Sequence, residues 1–453
     1  MELTKLLCLF IFLTIETLLI RLKAELTIFH VVVLFSYIFF VILKSRPSPV
    51  YLVDYSCLKP PNFCRVPHAA FIEHAQHFLD KQSINFMTKI LSQSGQSEET
   101  YLPPALQYIP PKIDYQEVIS EVHMVLFPVF EDLLAKTNLS PHDIDVLIVN
   151  CSGFCPAPSL SSIIVNKYGM REDIKSYTIS GMGCSANALA IDMAQNILKS
   201  HKNSNAVILS TEILSTGWYP GKEPSMLVIN CLFRMGAAGI LISNKKEDKN
   251  RAKYKLIKTL RTQRAFDDKA YFCTFREEDS DGFTGVTLKR DLLQAAGETL
   301  RSNITILGSQ ILPFTEKVRY GVSILRKKLS VDKKSTEIYV PNFKSVIEHF
   351  CLPASGKPVI KEMGKGLKLV EGDKEPALMT LHRFGNQSSS SLWYELAYLE
   401  AKGRVKKGDK VWLLGMGSGT KCTSLIWECV RPIYGEAQRG PWADTIDRYP
   451  LKM

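Results

Sequence analysis

Paired metal-ligand spacing is missing from this sequence, although it holds eleven cysteines. Cys57 and Cys64 have six residues between them, Cys151 and Cys155 have three, and neither pair is joined by a second at zinc spacing, which argues against a zinc site. In a chain of 453 residues these thiols are dilute and odd in number, the usage of a reduced, cytosol-facing protein rather than a disulfide framework. A small-residue cleavage site is also absent after residue 20, which counts against a removed signal peptide. Acid is in short supply, with 45 Asp and Glu against 56 Lys and Arg and a net charge of +11. That balance favours an anionic surface or ligand: nucleic acid, lipid headgroups or a phosphorylated cofactor. Disorder is excluded by a composition that is 46% hydrophobic and 22% charged, and the length allows a large core or two ordinary domains.

What is present begins with two apolar runs, LLCLFIFLTIETLLI at 6–20 and LTIFHVVVLFSYIFFVIL at 26–43, separated by the charged RLKAE. The second has about the length of a hydrocarbon core; the first is shorter and carries Glu16, a costly residue in lipid. Together they predict a two-span membrane hairpin over residues 1–47. A signal peptide, or one span plus an interfacial segment, is the rival reading. Lys44 and Arg46 follow the second run and place the body on the cytosolic side by the positive-inside rule.

Beyond the anchor the pattern is α/β. The runs VLIVN (146–150), AVILS (206–210), GILIS (239–243) and VWLLG (411–415) predict strands buried on both faces, with helices over 158–169 and 186–200. The second helix starts almost wholly apolar, which suits the middle of a domain. Just ahead of it, in GMGCSA (181–186), Gly181 and Gly183 allow a tight turn and Cys184 stands at or near the first helical turn. Free N–H groups and the helix dipole there would favour a thiolate and could hold an oxyanion. The plainer reading is a buried structural thiol. His382 and Asn386 lie four apart ahead of a serine run, and Gly415, Gly417 and Gly419 form a glycine-rich loop after a strand. A dinucleotide site at that loop is disfavoured, because no βαβ unit of adequate length follows. Two basic runs, 245–255 and 325–334, read as solvated loops or as contacts with a membrane surface or CoA phosphates.

The segments VYLVDYSCLKPP (50–61), SGQSEETYLPP (94–104), GMGCSA, NCLFRMGAAGILISN (230–244), EHFC (348–351), LHRFGN (381–386) and GMGSG (415–419) occur in the order found in plant 3-ketoacyl-CoA synthases, a family this chain resembles over almost its whole length. The resemblance implies an α/β, thiolase-like duplicated fold of layered sheets and helices, with a first half over 48–335 and a second over 336–453. It implies decarboxylative Claisen condensation of a long-chain acyl-CoA with malonyl-CoA, giving 3-ketoacyl-CoA, CO2 and CoA without a cofactor or metal. It places the protein in the endoplasmic reticulum membrane as a homodimer or a heterodimer with related synthases, beside the reductases and dehydratase of an elongase, with no nucleic acid involved. Cys184 would be the nucleophile and Asn386 a donor to the enolate, with Gly415, Gly417 and Gly419 on the substrate.

The family's histidine is where the chain departs. Pro353 occupies that position, and proline has neither a side-chain nitrogen nor an N–H. Gln263 likewise stands where the family commonly has histidine. His349 and His382 remain as candidate catalytic histidines. The second reading is a catalytically weak or inert homologue that modulates active synthases. A soluble polyketide synthase of the same fold is disfavoured by the hairpin.

Overall fold

The computed structural model describes residues 2–20, 27–44, 48–330 and 339–452. It divides into two units, Met1–Ser48 and Pro49–Met453. The charged segment 21–25, Arg46 and the expected boundary between halves at 335 lie outside the described residues.

The first unit holds helices α1 (Glu2–Ile20) and α2 (Thr27–Lys44). They touch through stacked rings of Phe12 and Tyr37, centroids 5.3 Å apart. The Thr14 and Thr17 hydroxyls donate to carbonyls one turn back, so neither needs an outside partner. Leu6, Phe10, Leu18, Phe35, Phe39 and Phe40 are exposed, whereas Glu16 and His30 are buried. Among the described residues no helix is long and apolar enough to cross a membrane.

The second unit contains strands β1 (Tyr51–Cys57), β2 (Val146–Asn150), β3 (Lys175–Ile179), β4 (Asn205–Thr211), β5 (Ala237–Ser243), β6 (Tyr254–Gln263), β7 (Thr274–Glu278), β8 (Thr284–Leu288), β9 (His349–Cys351), β10 (Lys410–Gly417) and β11 (Lys421–Cys429). The four predicted strands are β2, β4, β5 and β10. Nine strands form one sheet in the order β3-β2-β4-β5-β1-β6-β11-β10-β9, and β7 pairs with β8 alone. β3, β2 and β4 run parallel to one another at one end of the sheet and β9 runs parallel to β10 at the other, while every pair between β4 and β10 is antiparallel.

The unit also contains helices α3 (Tyr115–Thr137), α4 (Ala186–Ser200), α5 (Leu292–Ile311), α6 (Phe314–Leu329), α7 (Glu371–Phe384) and α8 (Ser391–Ala401), of which α4 and α8 border the Cys184 turn. Every residue of β2 and β4 is buried, as the continuous apolar runs require, and α4 packs on β2, β4 and β10. Ser391 to Glu400 of α8 are all buried. The indole N–H of Trp393 donates to Asn187 Oδ1 at 2.6 Å, tying α8 to the first turn of α4 across the interior.

Candidate active site

The turn into α4 is built from glycine. Beyond β3 the chain passes Gly181 (φ +70°) and Gly183 (φ +57°), enters a 3-10 turn over Gly183–Ser185, and continues as α4. Cys184 lies in that turn, two residues before Ala186, the first residue of α4. A Cβ on Gly183 would stand 2.6 Å from the Ser418 nitrogen, and one on Gly417 would overlap the Met182 carbonyl and come within 2.9 Å of the Ser185 nitrogen. The Ser418 hydroxyl donates to the Gly181 carbonyl at 3.2 Å. The two glycine-rich motifs therefore interlock, backbone against backbone. Sequence reasoning assigned Gly415, Gly417 and Gly419 to substrate. In the structure Gly417 serves close packing under the nucleophile turn and Gly419 (φ +63°) serves the β10–β11 turn, while Gly415 lies in ordinary contact with Ser185 and Cys184.

A second buried segment closes on Cys184 from Gly385 to Ser390. Ser388 holds φ +56°, uncommon for a residue with a side chain, and its N–H donates to Asn386 Oδ1 at 2.8 Å. That bond occupies the amide oxygen of Asn386 and leaves its NH2 as the end that can donate. The Asn386 carbonyl accepts from the Arg234 N–H at 2.8 Å, fixing the segment to the chain beyond Phe233. The Ser388 hydroxyl lies 3.5 Å from Cys184 Sγ and 3.2 Å from Glu212 Oε2. Glu212 follows β4 directly. It accepts from the N–H groups of Ser152 (3.0 Å) and Gly153 (2.6 Å) and lies 3.5 Å from Cys151 Sγ. The outcome is a line from thiol to hydroxyl to carboxylate.

Electrostatics oppose ionisation here. Burial pushes the Cys184 thiol up to about 11 against the pull of the Ser388 hydrogen bond, and the Glu212 carboxylate adds to the rise. Burial also raises the Glu212 carboxyl above the usual carboxylate range, resisted by the bonds it accepts from Gly153, Cys151, Ser388 and Ser152. The expected helix-stabilised thiolate is thus corrected: desolvation outweighs the favourable backbone groups at the start of α4.

The candidate histidines stand elsewhere. His349 opens β9, lies 2.9 Å through Nε2 from Asp409 Oδ2, and is in register with Val411, four residues before Gly415 on β10. Four strand residues are about 13 Å. His382 lies 3.0 Å through Nδ1 from the Tyr449 hydroxyl, its carbonyl accepts from the Ser97 N–H, and burial lowers its pKa. Neither is hydrogen-bonded to Cys184 among the described residues; His349 pairs with Asp409 and His382 with Tyr449. Pro353 is buried two residues past Cys351, whose partner on β10 is Leu413, so the chain carries it toward the Gly415 end. Just before it, the Leu352 N–H donates at 2.7 Å to Glu395 Oε2 on α8. Gln263 is exposed at the end of β6. Sequence reasoning missed Ser388 and Glu212 as site members; the serine run and a lone acid directly after a buried strand were the available signals.

A nine-stranded mixed sheet, the buried helix α8 and a cysteine in the turn entering α4 are the frame of a thiolase-like fold. Two solved structures share the fold: a fungal type III polyketide synthase, ORAS (TM-score 0.64, 16% identity, covering 84% of this chain and 99% of that one), and 1,3,6,8-tetrahydroxynaphthalene synthase from Streptomyces coelicolor A3(2) (TM-score 0.61, 18% identity, 84% and 99%). The FAE1/Type III polyketide synthase-like protein family matches residues 42–329, and the 3-oxoacyl-[acyl-carrier-protein] synthase III C-terminal family matches 344–429. Arabidopsis thaliana 3-ketoacyl-CoA synthase 6 is 50% identical over 413 residues, 91% of this chain and 82% of that protein; 3-ketoacyl-CoA synthase 7 is 44% identical over 422 residues, 93% and 90%. The chain belongs to the 3-ketoacyl-CoA synthase family.

Proposed function

We propose that this protein is a condensing enzyme of very-long-chain fatty acid elongation, with Cys184 as nucleophile and the Ser388 and Glu212 side chains as its proton path. Cys184 Sγ attacks the acyl-CoA thioester carbonyl, its proton passing to the Ser388 oxygen as the Ser388 proton passes to Glu212; CoA leaves and the acyl group stays on sulfur. Malonyl-CoA then loses CO2, and the resulting enolate carbon attacks the acyl carbonyl, expelling the Cys184 sulfur and releasing 3-ketoacyl-CoA two carbons longer. The Asn386 NH2 donates to the enolate oxygen without titrating. No cofactor enters these steps. The observation that carries the reading is the 3.5 Å and 3.2 Å line from Cys184 through Ser388 to Glu212.

Pro353 removes one donor from this site, a change that typically costs about 10² to 10³ in rate. It is also what favours the second reading, a homologue that binds and modulates active synthases. Incorporation of labelled malonyl-CoA into long-chain acyl-CoA decides between them. Product that disappears in Cys184→Ala marks a working synthase, with Pro353→His expected to raise the rate at least tenfold. A silent parent made active by Pro353→His marks the modulator, and silence in both overturns the condensing reading.

The proposal extends to location. The α1 and α2 helices anchor the chain in the endoplasmic reticulum membrane with the body in the cytosol, alone or paired with related synthases and near elongase reductases and dehydratase. Supporting this, both helices turn large apolar side chains outward while Glu16 and His30 face inward.

A further inference from the structure

Helix α6 exposes what a surface helix ordinarily hides. Phe314 is 78% exposed, Val318 45%, Val322 39%, Leu325 59% and Leu329 83%. At 100° per residue these five positions fall within a sector of about 80°. Arg319 and Arg326 flank one edge of the stripe, and Lys317 and Lys328 flank the other, each within about 60° of it. The opposite face is the one that holds α6 to the body. There Glu316 is buried and accepts from the Asn342 N–H and the Tyr339 hydroxyl, both at 2.8 Å, and the Ser323 hydroxyl accepts from the Tyr339 N–H at 3.1 Å. Tyr320 meets Thr305 of α5 at 3.3 Å. The one acid on α6 is thus turned inward, where it also pairs with Arg319 at 3.0 Å, and the outward face carries apolar and basic side chains with the uncharged Thr315, and no acid.

We propose that α6 lies flat in the interface of an anionic lipid bilayer, its apolar stripe among the acyl chains and its bases on the phosphates. At about 24 Å the helix is too short to span a hydrocarbon core, but its length and composition suit a seat in the headgroup boundary. Bases at both edges of a stripe can bury their methylene stems and still reach phosphate, which a pocket on another protein would not require on both sides. Charge complementarity therefore selects lipid over a protein partner or a second copy. The inference rests on the proposed membrane anchor only for delivery to the bilayer, since the stripe and its flanks belong to α6 alone.

The test uses the full chain, with exposed Cys8 and Cys155 changed to Ser, reconstituted in phosphatidylcholine vesicles with or without phosphatidylserine. A polarity-sensitive fluorophore is placed at Leu325→Cys or, as a control, at exposed Tyr434→Cys. With phosphatidylserine present, brominated lipid is expected to quench position 325 several times more than position 434, and emission at 325 to shift to the blue. Changing Lys317, Arg319, Arg326 and Lys328 to Gln is expected to remove most of that difference. A protein that floats with its vesicles while 325 is as open to iodide as 434 overturns the inference and leaves the anchor standing. Protection of 325 that is unaffected by lipid bromination marks a protein partner or a second copy and also overturns it. Quenching at 325 in protein that an alkaline wash strips from the vesicles supports α6 and overturns the spanning anchor instead.

Discussion

At the scale of single residues, one hydroxyl stands between the nucleophile and its base. The Ser388 hydrogen bond is the larger of two favourable contributions to ionisation of Cys184, the other being a backbone N–H, so Ser388→Ala is expected to raise the thiol pKa further and slow iodoacetamide alkylation near neutral pH by about tenfold, the worth of one hydrogen bond to a charged group. Glu212 acts in two opposite ways, as a negative charge that disfavours the thiolate and as the proton acceptor. Elongation by the parent should therefore fall as pH drops through the raised Glu212 pKa, because only the carboxylate accepts a proton; the groups facing it are Cys151, Cys184 and Ser388, with Glu121 of α3 nearby. Glu212→Gln should lose that acid limb along with most of the rate. A Glu212→Gln variant that keeps the limb would show that another group titrates. Under the proposed mechanism, Pro353→His would bring an imidazole to the site. An imidazolium near Cys184 is expected to lower the thiol pKa, visible as faster alkylation at neutral pH, about tenfold for each unit.

At the scale of elements, the interlock of two glycine-rich segments places the thiol. A Cβ at position 417 would meet the Met182 carbonyl and the Ser185 backbone, which cannot swing aside as a side chain can. Gly417→Ala is expected to cost about 1–3 kcal/mol, read as a lowered Tm, together with most of the condensing activity. Gly415→Ala adds an atom at 3.4 Å from the Ser185 Cα, an ordinary contact, and should leave Tm nearly unchanged. Equal losses at both positions would mean that the strand as a whole, rather than one close approach, limits the turn. The same scale explains why the candidate histidines fell away. His349 was near Pro353 in sequence, but an extended strand carries it out of reach toward Asp409.

At the scale of the whole second unit, the two halves of the sheet meet at β1 and β6, and a buried lysine crosses that seam. Lys253 Nζ lies 2.9 Å from Asp54, 3.0 Å from Glu400 and 3.1 Å from Glu436, joining β1, the end of α8 and the C-terminal segment. Lys253→Met would leave three carboxylates facing one another without a cation, and a loss of about 3–5 kcal/mol is expected. Burial raises the folded-state pKa of Glu400 even with Lys253 in place, and removing the lysine takes away the group that lowers it. The folded variant would then hold protons more tightly than its unfolded chain, so its stability should be greatest in acid and fall as pH rises from the ordinary carboxylate range. Chemical denaturation of parent and variant at several pH values checks the sign.

Much of this protein was legible in the amino-acid sequence. β2, β4, β5 and β10 announced themselves as continuous apolar runs, because a strand covered on both faces must be apolar on both, and α4 announced itself by an apolar start. Cys184 was legible because a thiol just after two glycines and ahead of an apolar helix start is a local pattern. The motif order around it was enough for the family. Tertiary structure alone decided what surrounds the thiol. Ser388 is 204 residues from Cys184 and 176 from Glu212 in the chain, so their meeting depends on how β4, α4 and α8 pack rather than on any local spacing. It likewise decided that Gly417 packs against backbone, and that α6, of which the sequence marked only the last turn as part of a basic run, turns its apolar stripe to the outside. Periodicity states that a helix has two faces. Which of them the body covers is settled by contacts with residues distant in sequence, here Tyr339 and Asn342 on Glu316.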